Sequence, residues 1–193
     1  LAAITVNAVA ARRCFIMVVP PLVAGCLLRG SACVQYARGM EKPAILFVCL
    51  GNICRSPLAE AAFRDAADKA GLEAEADSAG TADYHVGSPP DPRSIEEASK
   101  HGIDISGYAG RQLAVEDFDR FTHIFAMDHQ NLANIDALRP EGSRAHVSLL
   151  MDLVPGREGA AIADPYHDGE EQFEYTWQDV DAAAQALVAQ LKD

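Results

Sequence analysis

The chain has 193 residues, a net charge of -12, 49% apolar residues and 23% charged residues. This is enough chain for one domain with a hydrophobic core, and the composition is neither disordered nor fibrous. The acidity excludes nucleic acid and anionic membrane as partners of the bulk of the chain, and five cysteines are too few for a disulfide scaffold.

The charge is unevenly spread. Residues 1–39 hold Arg12, Arg13, Arg29 and Arg38 and no acid, which leaves -16 for residues 40–193. The two parts are therefore read separately. The apolar run Cys14 to Leu28 is 15 residues, shorter than the roughly 20 of a membrane-spanning helix. With the basic pair Arg12-Arg13 it has the layout of a secretory signal, with a trace of a twin-arginine motif. Val23-Ala24-Gly25-Cys26 has the form of a bacterial lipidation site. The reading preferred is an extension without function. The chain opens with Leu, and Met40 stands just before a strand-like run, as an upstream start site would produce. A targeting segment is the alternative.

From Met40 on, strands alternate with helices. Ala44 to Val48 is a continuous apolar run that suits a strand buried on both faces. Ser56-Pro57 predicts a helix start, with Ser as N-cap and Pro at the first helical position, and Gly71 predicts its end. Glu73 to Ser78 is a weak second strand. Asp91-Pro92 starts a helix that ends near Gly102. Thr122 to Met127 reads as a strand, Asp128 caps the next helix, and His146 to Leu150 is a further strand. Phe173, Val180, Ala184, Leu187 and Leu191 mark a long C-terminal helix, with Trp177 beside them. The alternation predicts an α/β fold, an open parallel sheet with helices on both faces.

The chemistry concentrates in Cys49-Leu50-Gly51-Asn52-Ile53-Cys54-Arg55-Ser56-Pro57. This loop joins a buried strand to a helix N-terminus, the place where α/β proteins bind anions. Gly51 and Asn52 are the residue types that most readily take left-handed backbone angles. The backbone of Leu50 to Arg55 is expected to cradle a phosphate-sized anion. A thiol at Cys49 would be held as thiolate by the N–H groups and the nearby cation. Arg55 offers a planar fork for two oxygens, and Ser56 can donate to the departing thiolate. Nucleophile, cradle and fork at this spacing predict phosphoryl transfer through a phosphocysteine. No metal and no cofactor is expected: Cys49 and Cys54 lack a suitably spaced His, and no nucleotide-binding glycine motif occurs.

The loop resembles the signature of the low-molecular-weight protein tyrosine phosphatases. The similarity continues in Ser78-Ala79-Gly80-Thr81, Gly87 to Arg93, His101-Gly102-Ile103 and Asp164-Pro165-Tyr166, and covers nearly all of residues 43–193. It implies a four-stranded parallel sheet flanked by helices, and a phosphatase domain over 40–193. It also implies the acid that spacing cannot single out: Asp164 would protonate the leaving phenol. Tyr84 and Tyr166 would wall the pocket. Asn52 and Ser56 would support catalysis. Cys54 would be a redox partner of Cys49, while on its own chemistry it could equally be a small apolar filler. One departure stands out. Many relatives carry His where this chain has Tyr108, and that His helps hold the residue equivalent to Asn52.

The implied partner is a phosphotyrosine protein. No nucleic acid, no membrane for residues 40–193, a cytoplasmic location and a monomer or weak self-association complete the expectation. An arsenate reductase on the same fold needs further cysteines, and none follows Cys54. A non-catalytic phosphotyrosine- or phosphate-binding module is the other alternative; the joint presence of Cys49, Arg55 and Asp164 speaks against it.

Overall fold

The computed structural model describes residues 42–193. The expected extension over 1–39, with its signal-like and lipidation-like features, lies outside the described residues. The order of elements is β1 (Ala44–Cys49), α1 (Arg55–Ala70), β2 (Glu75–Gly80), α2 (Pro92–Lys100), α3 (Asp117–Arg120), β3 (His123–Ala126), α4 (His129–Leu138), β4 (His146–Leu149) and α5 (Glu171–Lys192). Short 3-10 turns cover Leu150–Leu153 and Pro165–His167.

The four strands form one parallel sheet in the order β2-β1-β3-β4. β1 is central and every residue of it is buried, which accounts for its unbroken apolar run. Its side chains alternate between two cores. Ile45, Phe47 and Cys49 face a cluster with Leu58, Phe63, Phe173 and Val180 of α1 and α5, together with Ala98 of α2. Ala44, Leu46 and Val48 face a second cluster with Phe118, Phe121 and Ile135 of the α3–α4 side. The expected three-layer α/β architecture with four parallel strands is therefore present.

Several boundaries differ from the sequence reading. β2 runs two residues later than expected, because its end at Gly80 must place the N–H groups of Thr81 and Ala82 on the carbonyls of Cys49 and Leu50 (both 2.9 Å). α3 was not foreseen; four residues are too few to show a period. Gly71 closes α1 as expected, with φ 65°. Asp91 caps α2 through its carboxylate, which accepts from Arg93 N–H at 2.9 Å.

The start of α1 is a correction. Its N-cap is Cys54, without any side-chain cap bond, and Ser56 lies inside the helix. The Ser56 hydroxyl turns to the loop behind it, so the positive end of α1 is left open.

Candidate active site

The sheet order reverses between β1 and β3, since β1 leads on to β2 at one side and β3 to β4 at the other. The crevice beyond the carboxyl ends of these two strands is the topological switch point, where such sheets bind ligands. The loop from Cys49 to Arg55 leaves β1 there, and Asp128 follows β3 there.

The loop carbonyls are turned outward. Cys49, Leu50 and Ile53 accept from the N–H groups of Thr81, Ala82 and Asp91 at 2.8–2.9 Å, and Cys54 accepts from Ser94 Oγ at 3.5 Å. In a trans peptide the N–H points opposite to the C=O. The N–H groups of Leu50, Gly51, Cys54 and Arg55 are thereby aimed to the inside of the turn. Asn52 N–H donates to Cys49 Sγ at 3.2 Å. This is a nest of donors around one sulfur, beside an uncapped helix end.

Asn52 is the one non-glycine residue with positive φ, at 56°, among those described. Its side chain holds that conformation at both ends: Oδ1 accepts from Arg111 N–H at 2.9 Å, and Nδ2 donates to Ser56 Oγ at 2.9 Å. Ser56 Oγ in turn lies 3.1 Å from Cys49 Sγ. Gly51 does not adopt the left-handed angle expected of it. It is glycine for another reason: a Cβ there would lie 2.9 Å from His85 Cδ2.

Tyr108 is not among the hydrogen-bond partners of Asn52. Its half-buried phenol lies in the field of Glu60 and Arg64, and burial first, then Glu60, pushes its pKa up. Glu60 is buried on α1. It accepts from Ser78 Oγ at 2.7 Å and Arg64 Nε at 2.9 Å, and burial raises its carboxyl above the ordinary range. With Tyr108 in place of the family's His, Asn52 Oδ1 is held by the backbone N–H of Arg111.

Arg55 is 2% exposed and bridges two carboxylates. Nη1 donates to Asp128 Oδ2 at 2.6 Å and Nη2 to Asp164 Oδ2 at 2.7 Å; Nη1 also reaches Ile162 O at 3.2 Å. Nε is buried and has no partner among the described residues. Asp164 sits on a segment anchored by Ile162 N–H to Met127 O at 2.8 Å, and its Oδ1 accepts from Tyr166 N–H at 3.2 Å. Pro165 is buried beside it.

A cavity of about 170 Å³ is lined by Cys49, Leu50, Gly51, Ile53, Cys54, Arg55, Tyr84, Asp164 and Tyr166, with His85 and His167. Asn52 and Ser56 stand behind the sulfur, buried and outside the lining. Cys49 and Cys54 are both free thiols. Burial, then the charges of Asp91, Cys49 and Asp164, push the Cys54 thiol up to about 12. A larger cavity of about 640 Å³ lies around Arg120 and Phe121 next to Lys42, and no Cys or His lines it.

Three residues escaped the sequence reading as site residues. Asp128 was recognised only as a helix cap, which it also is, since Oδ1 accepts from Asn131 N–H at 2.7 Å. His85 and the backbone of Arg111 carry no local signal. Among the described residues no group of three metal-ligating side chains occurs, and no helix is long and apolar enough to cross a membrane.

The family model described as low molecular weight phosphotyrosine protein phosphatase matches residues 44–193. The low molecular weight phosphotyrosine protein phosphatase of Schizosaccharomyces pombe is 49% identical over 132 residues, 67% of this chain and 84% of that one. The low molecular weight protein-tyrosine-phosphatase YfkJ of Bacillus subtilis is 40% identical over 150 residues, 77% and 95% of the two chains. A crystal structure of YfkJ matches with a TM-score of 0.74 and 38% identity, covering 80% of this chain and 97% of that one. Vibrio vulnificus Wzb, solved in complex with benzylphosphonate, matches with a TM-score of 0.69 and 27% identity over 78% and 99%. With a family model that spans residues 44–193 and relatives at 40–49% identity, the chain belongs to the low molecular weight phosphotyrosine protein phosphatase family.

Proposed function

We propose that this chain hydrolyses phosphotyrosine in proteins through a phosphocysteine on Cys49. The observation that carries the reading is the buried guanidinium of Arg55, whose Nε lacks a partner beside a nest of inward N–H groups and a thiol. A buried unpaired donor costs free energy unless a ligand fills it. A tetrahedral oxyanion supplies the acceptors.

The thiolate of Cys49 attacks phosphorus in line. The S–P bond forms as the bond to the phenol oxygen breaks. Arg55 and the N–H groups of the loop from Leu50 to Arg55 hold the three equatorial oxygens, whose charge they stabilise without reorganising. Asp164, as the carboxylic acid, gives its proton to the phenol oxygen. An anion on Arg55 competes with Asp164 for the guanidinium, which frees the carboxyl to face the leaving group. The Asp164 carboxylate then takes a proton from water. That water attacks phosphorus, the S–P bond breaks, and Ser56 donates to the thiolate that departs.

Tyr84 and Tyr166 flank the cavity and are suited to stack on the substrate ring. Residues 40–193 are the catalytic unit on this reading, and the substrate is a phosphoprotein. Cys54 lines the same cavity as Cys49, which supports a role in trapping an oxidised Cys49 as a disulfide. A working thiolate fits a reducing cytoplasm, and nothing in the mechanism asks for more than a monomer.

The test is hydrolysis of para-nitrophenyl phosphate and phenyl phosphate by the full chain, Cys49→Ser and Asp164→Ala. Cys49→Ser should be inactive on both. Asp164→Ala should lose about 10²- to 10⁴-fold on phenyl phosphate and markedly less on the better leaving group. Turnover retained in Cys49→Ser would overturn the reading.

A further inference from the structure

Beside the catalytic cavity lies a second depression of about 650 Å³, and the two share walls: Leu50 and Tyr84 line both. Leu50 is divided between them. Its N–H turns into the loop, while its side chain is 41% exposed. From there the groove runs over Thr81 to Ala137 and Leu138 at the end of α4. Tyr84 is 74% exposed and Leu138 37%. Not one lining residue is charged, although the charge on residues 40–193 is -16. Two amide NH2 groups on its walls are weakly held: Gln112 Nε2 and Asn134 Nδ2 reach Thr81 O and Thr81 Oγ1 only at 3.5 Å, while Asn134 Oδ1 accepts from Gln130 Nε2 at 3.1 Å. Bonds of 3.5 Å are weak, so the two NH2 groups are available to carbonyl acceptors.

We propose that this groove is a substrate subsite that takes the polypeptide flanking the phosphotyrosine and selects uncharged, apolar side chains there. The inference rests on the phosphatase reading. Its argument is continuity: a tyrosine ring inserted between Tyr84 and Tyr166 leaves its backbone at the cavity mouth, where Tyr84 and Leu50 lead into the groove. Exposed leucines and a tyrosine bury apolar surface against a flanking Leu or Val. The amides of Gln112 and Asn134 can serve the peptide backbone. A flanking Asp or Glu would lose water there and meet no cation. Binding energy gathered at this distance from phosphorus separates protein substrates from small aryl phosphates.

The experiment measures kcat/KM on phosphotyrosine peptides that carry Leu or Asp on either side of the phosphotyrosine, with para-nitrophenyl phosphate as internal reference. The full chain is compared with Leu138→Lys and, independently, Ala137→Lys, each of which supplies the cation that the groove lacks, and circular dichroism melts report folding. The expected result is about a ten-fold preference for the Leu peptides in the unaltered protein. Either variant should erase that preference relative to the small ester. Equal turnover of Leu and Asp peptides, or a preference that both variants retain, would overturn the subsite. So would loss of a concentration-dependent dimer in the variants with peptide turnover unaltered, which would assign the groove to a second copy of the chain. Failure to hydrolyse the small ester at all would sink the phosphatase reading itself and is distinguishable from each of these.

Discussion

Asn52 donates from Nδ2 to Ser56 Oγ at 2.9 Å, and this bond decides where the serine proton goes. The amide orientation is fixed because Arg111 N–H occupies Oδ1. Ser56 must then accept from Asn52, so its own proton points to Cys49 Sγ at 3.1 Å or to the more distant Ala79 O at 3.4 Å. A relay thus runs from the Arg111 backbone through Asn52 and Ser56 to the nucleophile. Ser56→Ala should slow turnover by about 10²-fold, the usual effect of deleting one donor to developing charge. The loss should fall on hydrolysis of the phosphoenzyme, where the thiolate leaves, and stopped-flow should reveal a burst of phenol. Asn52→Ala should lose at least as much, since it also removes both ties on a left-handed backbone.

Asp128 fixes one arm of the Arg55 fork from the neighbouring strand. It is held independently of Asp164, since its other oxygen accepts from Asn131 N–H at 2.7 Å. Asp128→Asn keeps an acceptor for the cap bond but weakens the charged hold on Arg55. A misplaced fork in such a site can cost on the order of 10²-fold. The expected outcome is a fall in kcat with weaker inhibition by inorganic phosphate, and a Tm close to that of the unaltered protein. Steady-state kinetics with phosphate titrations checks it.

Cys54 should resist alkylation. Its thiol is pushed up to about 12, so almost no thiolate is present at pH 7–9. Iodoacetamide at pH 7 should modify Cys49 and abolish turnover while Cys54 stays unlabelled. Fragment-ion mapping of the peptide that holds both residues measures this. Peroxide treatment should instead join the two, and thiol reductant should restore activity.

His123 makes stability depend on pH. Its ring stacks on Phe125 at 6.0 Å between centroids and lies 5.7 Å from that of His146. Burial, then His146, lowers its pKa below 6.5. In the unfolded chain the imidazole binds its proton first as the pH falls. The contribution of His123 to stability is therefore complete above about pH 6.5 and is lost progressively below it, down to the folded value. His123→Phe should lose less stability than the unaltered protein between pH 7.5 and 5.5. Urea unfolding at the two pH values tests this, and parallel losses would refute it.

The parts of the site that follow from local chemistry are legible in the chain. The unbroken apolar run of β1, the Cys49–Arg55 spacing and the Asp91 cap are each written within a few residues. Asp164 needed the family resemblance, because Asp-Pro-Tyr by itself is also ordinary turn chemistry. The sequence offers Gly51 and Asn52 alike for the left-handed angle and Ser56 both as a cap and as a donor to the sulfur; Asn52 takes the angle and Ser56 makes no cap bond. In the folded protein the Ser56 hydroxyl faces the sulfur, and Gly51 gives room to His85.

The amino-acid order by itself determined a central strand buried on both faces, the thiol and guanidinium that follow it, and the helices that cover the sheet. Periodicity and local hydrogen bonding act over a few residues, so a single chain records them. Only tertiary structure decided that β3 lies beside β1, bringing Asp128 to Arg55 across 73 positions, and that Arg111 N–H reaches Asn52 across 59. Those contacts arise from strand order and core packing, which no short stretch of sequence encodes.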